Sequence, residues 1–452
     1  MTTSQIVPER NSPAKGIYMT HRLPEIGPLQ RRGIPAGIYS VCSSHNIVLE
    51  TALQQAGLEN NHLLVESTCN QVNQFGGYTG MTPSDFVTHV RNIAVKTSCP
   101  NEYLLIGGDH LGPYPWRHEN AETAMGKAKK LVSDCVSAGY DKIHLDCGMP
   151  LGDDTGDPNR ISPELSARRT VSLCRIAEKA RSDKQKEQDL PLYVIGAEAP
   201  TPGGSLKDNA TVVITKPEEI SEFMDTCRRL FQGNGLEDAW QRVVGVVVQP
   251  GIDFGADSIV RYDPHPAEKL SRFHQQLPDR MTFEVHATDF QKETALSEMV
   301  KHHFALLKCG PVLTFAYREA VFALAHIEDE LSRGRKSIPP SDIIAIIDRE
   351  MTKSRKHWES HTKDNIHERI YRLYGFTDRV RYYWEYPAVN NAFQKLMQNL
   401  ALPIPLPLIS QYLPEAFHEI AEKKIPATPL FLIRHRILQA LAPYLNACRN
   451  NF

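Results

Sequence analysis

Several residues capable of chemistry stand where hydrophobic runs of this chain end: Glu66, the adjacent Asp109 and His110, Asp146, Glu198, Gln249, His286 and Lys308. Imidazole nitrogens and carboxylate oxygens together suit a divalent metal such as zinc. A carboxylate next to such a centre can move a proton. An amine can pair with a phosphate or with a neighbouring acid. A barrel built only for structure has no need of so many ionisable groups at run ends, so the pattern reads as a functional site.

The elements that must position these residues are eight hydrophobic runs: Gly37–Ser43, His62–Glu66, Tyr103–His110, Lys142–Asp146, Leu192–Glu198, Val243–Gln249, Met281–His286 and Phe304–Lys308. The segments between them are long enough for a helix and two turns. Strands alternating with helices predict an α/β fold, a (β/α)8 TIM barrel, whose strand C-termini meet at one mouth. Alternate strand residues share a face, so K-I-H-L-D turns His144 and Asp146 the same way, and F-E-V-H does the same for Glu284 and His286. With His110 and Glu198 nearby, the set describes either a divalent-metal site or a plug of acids and histidines that satisfy one another.

Two glycine-bearing loops follow acid-tipped strands, Asn73–Met81 with Gly76 and Gly77, and Pro200–Gly204. Their backbone N–H groups are candidates for cradling phosphate, or the loops are simply tight turns. Glu66 and Lys308 are candidates for substrate contact. In T-D-R-V-R-Y-Y-W (Thr377–Trp384) two arginines and three aromatics fall within eight residues. These anchor a helix to the barrel, or else Arg379 or Arg381 reaches the mouth to bind a substrate phosphate. Cys147 and Cys309 lack a fixed base and read as core thiols.

The 452 residues exceed one ordinary domain. The expected division is a tail and lead-in helix over 1–35, the barrel over 36–330, and a helical C-terminal subdomain over 331–452 packed on it. Met1–Ser12 reads as disordered, Pro24–Arg32 as a short helix, and SDKQKEQD as a solvated loop. A net charge of −2 with mixed signs argues against nucleic acid or an anionic membrane as partner. Mean hydropathy is −0.37, and the polar first residues lack a signal-peptide core. The 9 cysteines form no C-x-x-C pair, which fits a reduced, cytoplasmic setting.

The strings ESTCNQVNQFGGYTGMTP, GGDHLGP, KIHLD, VIGAEAPTPGG, EVHATDF, LKCGPVLTFA and DRVRYYW resemble the GatZ/KbaZ family over roughly Gly37 to Leu413. That family is described as the non-catalytic subunit of class II tagatose-1,6-bisphosphate aldolase, and some wider members look like metal-dependent ketose 4-epimerases. The order of strand ends is also similar to class II aldolases. That resemblance implies Asp109 as acid/base, His110 and His286 as metal ligands, and Gln249 where a third histidine would stand, with Glu198 assisting. Glu284 and Asp146 are the reserve acid/base groups. The first reading is a metal-dependent enzyme epimerising D-tagatose 6-phosphate and D-fructose 6-phosphate at C4, in which a Lewis acid polarises the C2 carbonyl and a base takes the C4 hydroxyl proton. The alternative is an accessory subunit needed for the activity and stability of a class II aldolase catalytic subunit. A homo-oligomer is the expected assembly.

Overall fold

The computed structural model describes residues 23–157, 161–181, 190–196, 212–333, 339–359 and 367–448. Among the described residues ten strands occur in the order β1 (Ile38–Val41), β2 (Leu63–Thr68), β3 (Leu104–Leu111), β4 (Lys142–Asp146), β5 (Leu192–Gly196), β6 (Val243–Val247), β7 (Asp253–Phe254), β8 (Ile259–Val260), β9 (Thr282–Val285) and β10 (Phe304–Cys309). Eight of them close a parallel barrel, running β1-β2-β3-β4-β5-β6-β9-β10 and back to β1, while β7 and β8 form a small antiparallel ribbon. Every predicted run overlaps its strand, with β2, β3 and β10 continuing one or two residues past the predicted end, so the (β/α)8 expectation holds. The regions expected as a disordered N-terminus and a solvated SDKQKEQD loop lie outside the described residues.

Two apolar cores flank the barrel wall. Inside, near the strand N-termini, Ile38, Leu64, Leu105, Leu192, Val194 and Leu306 form a closed layer. Leu23 and Ile26 of the lead-in helix Leu23–Arg31 join that layer and stop the barrel from below. Outside, the larger core lies between the strands and their helices. A buried aliphatic side chain of this kind contributes about 1.5–3 kcal/mol, so the lower barrel has no need of polar contacts. Polar groups occupy the upper interior instead.

Helix boundaries follow local chemistry. Asn120 caps Ala121–Ala138 by accepting from Thr123 N at 2.8 Å, and Ser162 caps Pro163–Ala180 through Leu165 N. The closing helix is Pro311–Ser332, beginning three residues before the predicted Thr314. The last described helix, Pro429–Cys448, packs on β1 and on the helices Asn46–Glu59, Glu293–Lys301 and Pro311–Ser332. Tyr444 on it donates to Thr288 O at 2.8 Å, in the loop that follows β9.

Candidate functional site

Strand alternation carries Lys142, His144 and Asp146 of β4 into the barrel, as it does Glu284 and His286 on either side of the end of β9. β3 departs from alternation. Its register against β4 shifts between Gly108 and Leu111, and His110 has φ 51°. A left-handed backbone costs a non-glycine residue about 1–3 kcal/mol. Its effect here is to bring both Asp109 and His110 to the mouth, although neighbours on a regular strand face opposite ways. Just beyond, Gly112 lies against β4 so closely that a Cβ would stand 1.7 Å from Asp146 O. Only glycine fits there.

Asp109, His110, His144 and His286 are all buried, and each offers a ligand atom within 4.8 Å of the others. His144 Nδ1, His286 Nε2 and Lys308 Nζ converge on Asp109 Oδ1 at 2.8, 3.1 and 3.2 Å. His110 Nδ1 donates to Asp146 Oδ2 at 2.7 Å, which turns its Nε2 toward Asp109. Beneath lies an ion-pair network. Lys142 Nζ is 2.7 Å from Glu66 Oε1 and 2.6 Å from Glu284 Oε2, while Lys308 contacts Glu66 and lies 3.3 Å from Glu284 Oε1.

The charges in this cluster do not balance. Glu66, Asp109, Asp146 and Glu284 carry four formal negative charges against two on Lys142 and Lys308, leaving two uncompensated when the imidazoles are neutral. Buried charge of that size is offset by bound protons or by a cation. Local proton affinities reflect the deficit. Burial lowers the affinity of His110, but Asp109 and Asp146 outweigh it and raise the imidazole above its usual range. Burial raises Asp109, yet His110, Lys308 and His286 hold its carboxyl well below the carboxylate range. Burial likewise raises Glu284, and Lys142 and Lys308 reverse the effect to about 2. His286 is pushed down to about 4, chiefly by burial, and stays a neutral nitrogen donor. Three imidazoles and a carboxylate in an excess of negative charge fit a divalent ion with nitrogen and oxygen ligands.

Above the cluster opens a cavity of about 620 Å³, within the range of small-molecule sites. Asp109, His110, His286 and Lys308 line it, together with Cys42, His45, Tyr78, Asp289, Arg381, Tyr382 and Trp384. The C-terminal segment thus supplies one wall. Arg318 of the closing helix holds that segment, its guanidinium 4.3 Å from the Phe315 ring centroid and 3.6 Å from Asp378 Oδ1.

Several sequence expectations are corrected. Gln249 does not line the cavity; its amide oxygen turns back to accept from Gly251 N and Ile252 N, both at 2.9 Å. His144 joins the cluster instead. Glu66 and Lys308 hold each other in the buried network, so neither presents a free charge for phosphate. Gly76 N bonds to Asn73 O at 2.8 Å and Gly77 N to Asn73 Oδ1 at 3.2 Å, which closes the loop on itself as a turn. Arg379 is buried and lies outside the cavity wall, whereas Arg381 is in it. Asp146 is the partner of His110 and Glu284 is sealed among lysines, so neither is a free acid or base. Glu198 and the Pro200–Gly204 loop lie outside the described residues.

Two residues of the site carried sequence signals that went unread. Lys142 shares the inward face of K-I-H-L-D, one alternation before His144. Asp289 of EVHATDF accepts from Gly310 N at 3.1 Å and Val312 N at 2.9 Å, capping the closing helix. Cys147 and Cys309 are buried thiols as expected, and all nine cysteines are free. No helix among the described residues is long and apolar enough to cross a membrane.

Comparison with known proteins was made against this geometry. Residues 23–449 match the family described as D-tagatose-1,6-bisphosphate aldolase subunit GatZ/KbaZ-like. The chain is 42% identical over 420 residues to the D-tagatose-1,6-bisphosphate aldolase subunit GatZ of Escherichia coli O139:H28, covering 92% of this chain and 98% of that protein. The same figures hold for the GatZ subunit of Shigella boydii serotype 18. A crystal structure described as a probable tagatose 6 phosphate kinase from Sinorhizobium meliloti 1021 superposes with a TM-score of 0.81 at 37% identity, covering 91% of this chain and 100% of that one. These names overturn the expectation that the chain is itself a ketose-phosphate 4-epimerase, because the relatives are named as an aldolase subunit. Each acid/base candidate, Asp109, Glu284 and Asp146, is already engaged by imidazole or ammonium groups.

Proposed function

Because this chain belongs to the GatZ/KbaZ-like family of D-tagatose-1,6-bisphosphate aldolase subunits, we propose that it is the accessory subunit of such an aldolase, required by a class II catalytic subunit for activity and stability. The observation that carries this reading is 42% identity across 98% of a relative named as that subunit.

The barrel mouth holds a divalent ion, zinc or a similar metal, on Asp109, His110, His144 and His286. The uncompensated charge of the cluster supports this assignment. A bound ion of this kind attracts the carbonyl and hydroxyl oxygens of a ketose. Asp146 fixes the tautomer of His110, as carboxylates do behind metal-binding histidines. Lys308 is held by Glu66, Asp109 and Glu284 beneath the cavity, and Arg381 brings positive charge to the wall, where a ketohexose phosphate would place its ester.

The test is reconstitution. A class II tagatose-bisphosphate aldolase catalytic subunit is assayed alone and with this chain, following initial rate and half-life at a fixed temperature. Both should rise on addition, while this chain alone cleaves nothing. A catalytic subunit that is equally active and durable without it refutes the accessory role.

A further inference from the structure

The function proposed above leaves Tyr382 without a task, although it stands in the cavity wall. Its ring lies flat on His357, with centroids 4.4 Å apart and planes 5° from parallel. Tyr78 meets the same ring edge-on at 4.7 Å. Arg381 Nη2 donates to the phenolic oxygen at 2.8 Å. Three contacts therefore fix where the hydroxyl points.

A phenol both accepts and donates. Arg381 occupies a lone pair and, having no acceptor of its own, cannot take the hydrogen. Among the described residues no acceptor for that hydrogen is found. Two sites where a barrel of this type would bind an anion are already filled. The Asp289 carboxylate takes the N–H groups at the start of the closing helix, where such folds often seat phosphate. The Gly76–Gly77 turn gives its N–H groups to Asn73. Recognition of a ligand oxygen in this cavity therefore falls to side chains.

We propose that Tyr382 donates its phenolic hydrogen to an oxygen of the bound ketohexose phosphate, a sugar hydroxyl or a phosphate oxygen, with Arg381 and His357 holding the donor in place. This rests on the reading that the cavity takes such a ligand. Burial raises the proton affinity of Tyr382, and Arg381 and Arg379 more than offset it, leaving the phenol below its ordinary range. An O–H polarised by a cation is a stronger donor.

The experiment is calorimetric titration of fructose 6-phosphate, and separately of fructose, into the full-length protein supplemented with Zn²⁺. Wild type, Tyr382→Phe and Tyr412→Phe are compared. The phenylalanine at 382 keeps the stack on His357, so the thermal midpoint should hold. Affinity for fructose 6-phosphate should fall about 10-fold in Tyr382→Phe and change less than about twofold in Tyr412→Phe, whose ring packs on His326 outside the cavity wall. A matching loss with fructose identifies a sugar hydroxyl as the acceptor, and a loss confined to the phosphate ester identifies the phosphate. The near-ultraviolet tyrosine difference signal on binding should vanish in Tyr382→Phe alone. If wild type binds and Tyr382→Phe binds equally well, the inference falls while the ligand cavity stands. If wild type binds neither sugar, the cavity reading falls with it.

Discussion

His110 Nδ1 and Asp146 Oδ2 are 2.7 Å apart, both side chains buried, one arriving from the kinked end of β3 and the other from the end of β4. The pair decides which nitrogen of His110 faces the cluster. With Nδ1 carrying the hydrogen, Nε2 keeps a lone pair for a cation. Asp146→Asn should therefore weaken metal binding about 10–100-fold with the fold intact, measured by competition with a chelating dye. Gly112→Ala should reach the same end from the backbone, since its new Cβ overlaps Asp146 O. Unchanged affinity in Asp146→Asn would show that His110 needs no orienting partner.

Ligand choice gives a second expectation. His144→Ala should lose as much bound metal as His110→Ala or His286→Ala, because all three imidazoles reach Asp109. Gln249→Ala should retain it, as that side chain caps its own turn. Elemental analysis of the purified variants checks both halves. A fully loaded His144→Ala protein removes it from the ligand set.

The buried lysine makes a stability prediction. Lys142→Met leaves Glu66 and Glu284 to share the single cation of Lys308 in a site closed to water. Breaking such a pair costs about 3–5 kcal/mol, read as a lowered denaturation midpoint. Adding Glu284→Gln to Lys142→Met should recover part of the loss. A single variant as stable as wild type would mean that the network carries no such penalty.

Acid sensitivity follows from the neutral histidines. Burial, the first cause in each case, pushes His45, His303 and His357 down to about 4 and His274 to about 3. Their unfolded values are about 6.5, so below that pH the unfolded chain binds more protons than the folded one. Their contribution to stability is complete above about pH 6.5 and declines as pH falls toward 4. His110, raised above its usual range, acts in the opposite sense. The melting temperature should drop between pH 7 and 4.5, and His45→Phe should flatten that limb, since the ring it packs against at a tilt, Tyr317 at 4.1 Å, accepts another aromatic. A flat profile in the wild-type protein would contradict this.

The barrel was legible because its strands are near-continuous apolar runs with polar ends, a pattern that depends only on local alternation. The same alternation places His144 and Glu284 in the interior. It fails at β3, where nothing local announces the positive φ of His110 or the register shift beside it. Gln249 was misplaced by matching strand order to another family, when its position two residues before a glycine suits a side chain that caps a turn. Tyr382 and Arg381 reach the cavity from more than 200 residues beyond β3, and no spacing rule encodes that return. Of the two partners open to the Lys308 amine, a phosphate or a neighbouring acid, the structure supplies the acid, Glu66, and that pairing depends on strands that meet only when the barrel closes.

The helix Pro429–Cys448 lies across β1 and the closing helix, and its Tyr444 holds the loop that follows His286. This has a consequence for biosynthesis. Every strand of the barrel leaves the ribosome long before this helix does, so the nascent chain carries an uncovered apolar seam until its final turns emerge. Contacts between such distant segments form slowly, and exposed surface in the interval invites aggregation. Production of the protein should therefore respond to chaperone supply and to slower synthesis at low temperature, and chains stopped short of residue 429 should collect in the insoluble fraction.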